Sequence, residues 1–298
     1  TEAMMSVVMS ICNPGDKIMV FSPFYENYSA DAILSGAEPI YIPLVPPTYD
    51  FDINLIEEGF KAGAKAIIIC NPSNPCGKVF TEEELLAIGK LAIKYDRFVI
   101  TDEVYEHMVY APNKHTAMAS LPGMWEHTIP CNSLSKTYPI TGWRLGYIIC
   151  PYEIAECCKK VHDFLALAAA SPLQEAAVVG LNFPQSYYDE LLATYTEKRK
   201  YFLDGLDRIG LKHNVPQGSY FVMIDITDFL ELPQFKGISD LEFCEWMIKN
   251  IGVAAVPGSS FFREPINNLI RLHFAREKAT LDEAITRLAK MQKLLTNK

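Results

Sequence analysis

The sequence predicts an α/β fold, a mostly parallel mixed sheet sandwiched by helices, with a smaller C-terminal α+β domain after it. Three observations predict it. Between residues 17 and 150, short β-rich runs alternate with helical stretches, the pattern of strand-helix-strand units whose helices cover both faces of a sheet. The segment 133–144, between the last two of those strands, is too short for a crossover helix and holds Pro139 and Gly142, so one strand is expected to run antiparallel. Beyond Cys150 long helices take over, and the rest of the chain mixes strands with helices.

Each element has its own signal. Residues 1–10 have helical spacing with no initiating Met and read as a helix entered at its first turn, as if a longer protein had been cut ahead of Thr1. Strands follow at 17–21, 39–42, 64–70, 98–101, 128–132 and 145–150. The helix after Thr81 has a start signal, because Thr81 and Glu84 form a capping box ahead of Leu85, Leu86, Ile88 and Leu91. Helices are expected at 153–167, 172–181 and 185–209, then strands at 219–225, 253–256 and 269–274 with helices at 240–250 and 281–294. The change of pattern divides the chain into a large domain, 1–190, and a small one, 191–298.

Composition narrows the class of function. With 298 residues, 49% of them apolar, the chain can bury a sizeable core. A net charge of −9 with interspersed charges argues against a nucleic-acid partner, because phosphate backbones need clustered Lys and Arg. The longest apolar runs fall short of a membrane span. Eight cysteines without a C-x-x-C pair read as reduced thiols in a cytoplasmic protein, with no metal site.

In open α/β sheets, ligands bind beyond the carboxyl ends of the strands. There the sequence delivers Asn71-Pro-Ser-Asn-Pro-Cys-Gly77, Asp102-Glu-Val-Tyr105 and Ser133-Leu-Ser-Lys136, followed by Gly142-Trp-Arg144. An amide, a carboxylate, a phenol and an amine thus reach one edge, the set that pyridoxal-phosphate chemistry uses. Lys136 supplies an amine for a Schiff base and then a proton shuttle. Asp102 pairs with the pyridine nitrogen and keeps it protonated, so that the ring accepts electrons. Asn74 and Tyr105 can hydrogen-bond the phenolic oxygen, and Tyr25, in Ser22-Pro-Phe-Tyr25, offers an aromatic face. For the phosphate, Arg144 brings a planar fork, Ser133 and Ser135 bring hydroxyls, and a helix beginning at Thr1 brings backbone donors.

Plainer readings stand beside these. A lone lysine after a strand is ordinarily a solvated charge, Asp102 can cap a following helix, and Asn71 and Asn74 can build a proline-rich turn. Tyr25 and Tyr105 can be core or rim aromatics. Arg271 shares one face of an apolar strand with His273 and needs an anionic partner, which is either a buried structural carboxylate or a substrate α-carboxylate. His273 reads as a core histidine, and His107, His115 and His162 have no visible constellation.

Taken together, and with Pro14-Gly-Asp16, these motifs resemble the class I and II aminotransferases, fold type I pyridoxal-phosphate enzymes, in the family's order over essentially the whole chain. The resemblance implies a homodimer with active sites at the subunit interface, the large domain carrying cofactor and the small domain closing over substrate. It makes Lys136 the Schiff-base lysine, Asp102 the pyridinium partner, Asn74 and Tyr105 the phenolate contacts, Tyr25 the stacking ring, Ser133 and Arg144 phosphate ligands, and Arg271 the carboxylate clamp. Cis bonds at Ser22-Pro23 and Asn74-Pro75 are implied as well. In relatives the first helix follows a Gly-containing phosphate loop, and an N-terminal arm with a partner tyrosine completes the site. Thr1 stands at the tail of such a loop, and a chain of this length is expected to be impaired relative to an active parent. The implied reaction is reversible transamination between an L-α-amino acid and a 2-oxo acid. Its rivals are β-elimination at a C–S bond on the same fold and a non-catalytic binding module; the joint presence of Lys136, Asp102, Asn74, Tyr105 and Arg144 argues against the second.

Overall fold

The computed structural model describes residues 1–296 of the chain. Helix α1 (Glu2–Ile11) leads into β1 (Lys17–Ser22), α2 (Asn27–Leu34), β2 (Glu38–Pro43), α3 (Ile53–Lys61), β3 (Ala64–Cys70), α4 (Glu82–Tyr95), β4 (Phe98–Asp102), β5 (Thr128–Ser133) and β6 (Gly146–Ile148). These strands form one sheet in the order β2-β1-β3-β4-β5-β6, parallel throughout except for β6, which runs antiparallel to β5 as the short 133–144 connection requires. The sheet is covered on both faces, and β1 and β3 are accordingly almost continuously buried. One face packs Met19, Ile67 and Ile69 against Ile56, Leu85 and Ile88 of α3 and α4; the other packs Ile18, Ile68 and Ile100 against Val7 and Val8 of α1. The capping box of Thr81 and Glu84 starts α4 as expected.

Helices α5 (Tyr152–Ala166), α6 (Ser171–Leu181) and α7 (Gln185–Ile209) follow, then β7 (Phe221–Asp225), the single turn α8 (Thr227–Leu230), α9 (Asp240–Asn250), β8 (Val256–Pro257), β9 (Leu269–His273) and α10 (Lys278–Thr296). Strands β7, β9 and β8 make a second, antiparallel sheet whose core includes Phe202 and Leu206 of α7, Phe243 of α9 and Leu288 of α10. The division expected near residue 191 falls inside α7, which runs from one core into the other.

Four strands are shorter than the sequence suggests, β7 and β9 by two residues and one, and β6 and β8 with a visible cause. Arg144 lies in the left-handed region (φ 55), which stops extended backbone just before β6, and Pro151 then caps α5. The run 253–256 narrows to Val256–Pro257, because β9 offers pairing partners only to those two residues.

The Asn-Pro loop is stitched to the approach of β7. Gly77 carbonyl accepts from Gln217 N–H (2.8 Å) and Gly218 N–H (2.9 Å), while Asn214 donates to Cys76 carbonyl at 2.6 Å. Gly77 is needed there on two counts: its φ is +71, and a Cβ would lie 2.5 Å from Pro216. The Ser22-Pro23 and Asn74-Pro75 bonds are cis, as the family likeness implies, and so are those before Pro47, Pro72 and Pro112.

Candidate active site

The carboxyl ends of β3, β4 and β5 lie side by side, Asp102 pairing with Cys70 on one flank and Cys131 on the other. Asp102 caps no helix. Its Oδ1 accepts from Val104 N–H at 3.2 Å in a tight turn, and its Oδ2 accepts from the Tyr28 hydroxyl at 2.6 Å. Burial pushes this carboxyl above its ordinary value, with the two hydrogen bonds pulling the other way. Among the described residues no Lys, Arg or His side chain pairs with it. Tyr28 stands in the first turn of α2, three residues after half-buried Tyr25, and the two rings meet edge to face at 5.8 Å.

Asn74, Tyr105 and Arg271 converge from three elements. Arg271, central in β9, donates from Nη1 to Asn74 Oδ1 at 2.6 Å. Its guanidinium carbon lies 4.3 Å from the Phe221 ring centre and 4.5 Å from that of Phe261. Buried Tyr105 meets Phe221 and Tyr220 edge-on, at 5.8 and 5.3 Å. Burial lowers the Arg271 pKa, opposed by Tyr105, Glu26, Tyr220 and Tyr25, which places those groups around it. The structural ion pair weighed for Arg271 is not formed among the described residues: an amide and two aromatic faces hold it, and most of its donors are uncommitted. Asn71 is a loop builder, its Oδ1 accepting from Phe80 N–H at 3.0 Å.

Lys136 lies on the turn after β5, and among the described residues no hydrogen bond or ion pair reaches its Nζ. The hydroxyls of Ser133 and Ser135 bond each other, and Ser133 also donates to Leu145 carbonyl at 3.1 Å, so both serve to hold that turn. Arg144 is exposed, donating from Nη1 to Thr141 carbonyl at 3.0 Å. Thr1 caps α1 through its carbonyl, which accepts from Met5 N–H at 2.9 Å, and its side chain makes no capping bond. The start of α1 lies near β6, since a Cβ on Gly146 would stand 4.0 Å from that of Ala3.

This donor set fits pyridoxal phosphate. A buried carboxylate without a cation is stabilised by a protonated ring nitrogen, and a lysine amine without a partner is available to an aldehyde. Tyr28 is the residue that sequence reasoning missed; its only signal was its place one helical turn after Tyr25. The histidines left without a constellation also find partners. His115 bonds Glu103, which accepts from Thr101 as well (both 2.7 Å), and Glu106 accepts from Asn132 at 3.0 Å. Ligand atoms of Glu103, Glu106 and His115 lie within 4.8 Å of one another, and these bonds engage both oxygens of Glu103 and one atom each of Glu106 and His115, while His115 Nδ1 is buried without a partner.

Known proteins align with this architecture over nearly its whole length. The chain is 34% identical to kynurenine–oxoglutarate transaminase 3 of Bos taurus over 95% of its own length and 68% of that protein's. It is 33% identical to a bifunctional aspartate and glutamate/aspartate-prephenate aminotransferase of Petunia hybrida, over 97% of this chain and 62% of the relative. Among solved structures, Bna3p of Saccharomyces cerevisiae superposes with a TM-score of 0.92 at 30% identity, covering 98% of this chain and 75% of that one. Escherichia coli YbdL, a protein with a methionine aminotransferase function, gives 0.90 at 30% identity over 97% and 75%. The family model "Aminotransferase class I and II" matches residues 1–288, and the chain belongs to that pyridoxal-phosphate-dependent family.

Proposed function

We propose that this protein moves an amino group reversibly between an L-α-amino acid and a 2-oxo acid, with Lys136 as the amine that holds the cofactor aldehyde. The observation that carries the reading is the presence, beyond adjacent strand ends, of an unpartnered lysine amine and of a carboxylate that burial opposes and no Lys, Arg or His side chain pairs. When bound, pyridoxal phosphate supplies an electron sink for the pair left as the substrate Cα–H bond breaks. The Lys136 amine would take and return the Cα proton. Asp102 would keep the ring nitrogen protonated, and the Tyr28 hydrogen bond favours the ionised form of Asp102 against its burial. Asn74 and Tyr105 serve the phenolic oxygen, Tyr25 offers its ring face, and Arg271 orients the substrate carboxylate with its free donors. The phosphate falls to Arg144, Ser133, Ser135 and the first turn of α1 at Thr1.

In this reading residues 1–190 carry the cofactor and 191–298 form the smaller substrate-closing unit. A homodimer is supported by the exposed apolar face of α5 and α6, where Phe164 is 91% and Leu167 74% exposed, beside Val179 and Leu181. Eight free thiols support a reducing, cytoplasmic setting. The test is Lys136→Ala, which is expected to abolish the visible absorbance of lysine-bound cofactor and all transfer from amino donor to 2-oxo acid. Surviving turnover overturns the assignment of Lys136.

A further inference from the structure

The first turn of α7 grips the segment that carries Lys136. Tyr187 donates from its hydroxyl to the carbonyl of Thr137, the residue after Lys136, at 2.7 Å, and so holds the Thr137–Tyr138 peptide. The ring of Tyr138 stacks on that of Tyr187 (centres 5.9 Å apart, planes at 19°), and the Tyr138 and Tyr188 hydroxyls lie 2.7 Å apart. The same turn reaches the loop after Asp102, because the Tyr188 ring lies 4.5 Å from that of His107. Neighbouring Glu106 accepts from Asn132 at the end of β5. Two side chains, adjacent in sequence, therefore brace the turn holding the amine and the loop that begins at its proposed electrostatic partner.

We propose that Tyr187, supported by Tyr188, is a positioning residue that sets the direction of the Lys136 side chain. The inference rests on the reading of Lys136 as the cofactor-holding amine. The physical ground is that fixing the Thr137–Tyr138 peptide limits the backbone freedom of the turn one residue beyond Lys136, and with it the direction of the Lys136 side chain. The Thr137 carbonyl is held by a phenol whose ring is itself pinned by Tyr138 and by Phe183, 4.8 Å away. Thr137 is buried, so no solvent hydroxyl can substitute freely for the lost donor. Because α7 continues to Ile209 and buries Phe202 and Leu206 in the core beneath the second sheet, the brace is anchored outside the turn that it holds.

The experiment compares the full chain with Tyr187→Phe and Tyr188→Phe, which keep both rings and remove one hydroxyl each. Pyridoxal phosphate is added across a pH series, trapped with borohydride, and the modified lysines are mapped by mass spectrometry. Exposed Lys159 serves as the internal control. Tyr187→Phe is expected to shift the pH midpoint of Lys136 trapping and to lower kcat roughly 10- to 100-fold, the scale for a misplaced reacting group, with substrate KM nearly constant. Tyr188→Phe is expected to move both readouts in the same direction by less. Unchanged midpoints and kcat in both variants overturn the brace. Should Tyr187→Phe fail to fold, Tyr188→Phe decides alone, and its identity with the parent chain overturns the proposal. Failure to trap Lys136 in the parent chain itself instead overturns the reading of Lys136, so the two failures are distinct.

Discussion

Tyr28 and Asp102, 74 positions apart, are joined by a 2.6 Å hydrogen bond from phenol to carboxylate. The bond favours the ionised acid against the burial that opposes it. Removing it with Tyr28→Phe leaves Val104 N–H as the remaining donor to Asp102 and raises the Asp102 pKa further. The acid limb of the kcat/KM profile is therefore expected to move to higher pH, with a loss of about tenfold at neutral pH, as for a lost hydrogen bond to a charged group. A pH-rate profile with an unmoved acid limb contradicts this.

Asp102→Asn separates stability from chemistry. The folded-state pKa of Asp102 is raised, so the folded chain holds this proton more tightly than the unfolded one, and stability is lost as pH rises through the folded value. Without cofactor, the variant is expected to melt higher than the parent at pH 7.5 and no higher at pH 4. Transamination should fall by at least ~100-fold, the scale for losing a preorganised charge partner. Differential scanning fluorimetry and a coupled assay read the two effects; a variant that melts lower at pH 7.5 refutes the first.

Arg271 rests between Phe221 and Phe261 with Asn74 at its end, a slot shaped for a planar guanidinium. Arg271→Lys keeps the charge but loses the fork. KM for both the amino and the oxo acid is expected to rise, lowering kcat/KM by roughly 10- to 100-fold, while cofactor affinity stays near that of the parent. Steady-state kinetics beside a cofactor titration check the split, and a selective loss of cofactor affinity would count against a substrate role.

Asp31 gives a stability switch away from the chemistry. Burial raises its pKa from 3.8 to about 6, only partly offset by Asn27, whose amide lies 3.2 Å from both carboxylate oxygens. The protonated form is favoured in the folded chain, so stability falls as pH rises from about 4 to about 6 and the full penalty stands at pH 7. Asp31→Asn is expected to recover on the order of 1–2 kcal/mol at pH 7.5 and little at pH 4, allowing for solvent screening. Urea melts at the two pH values measure the difference; equal gains at both exclude the titration account.

What the sequence revealed depended on distance along the chain. β3, α7 and α9 have the bounds their periodicity predicts, because hydrophobic alternation and capping are local signals. The antiparallel β6 followed from a short connection, also a local fact. Lys136, Asp102 and Asn74 were legible because each sits in a compact motif at a strand end. The Tyr28–Asp102 bond and the Arg271–Asn74 bond, spanning 74 and 197 residues, have no local signature. Tyr187 and Tyr188 were illegible for another reason: aromatic residues on a helix face ordinarily signal a core, and only the fold shows one of them ending on the Thr137 carbonyl. Arg144, read as a phosphate anchor from its place after Gly142-Trp143, is exposed and bonds the Thr141 carbonyl of its own turn.

The stitching of the Asn-Pro loop to residues 214–219 bears on how the two bodies can move. Bonds from Gln217 and Gly218 to Gly77, from Asn214 to Cys76 and from Val79 N–H to Gln217 form a continuous seam. With the bonds from Phe24 N–H to the Phe261 carbonyl and from Arg263 N–H to the Ser22 hydroxyl, it joins the second sheet to the first at two separate places. Asn74 lies within the Asn-Pro loop, and its bond to Arg271 carries the same link into β9.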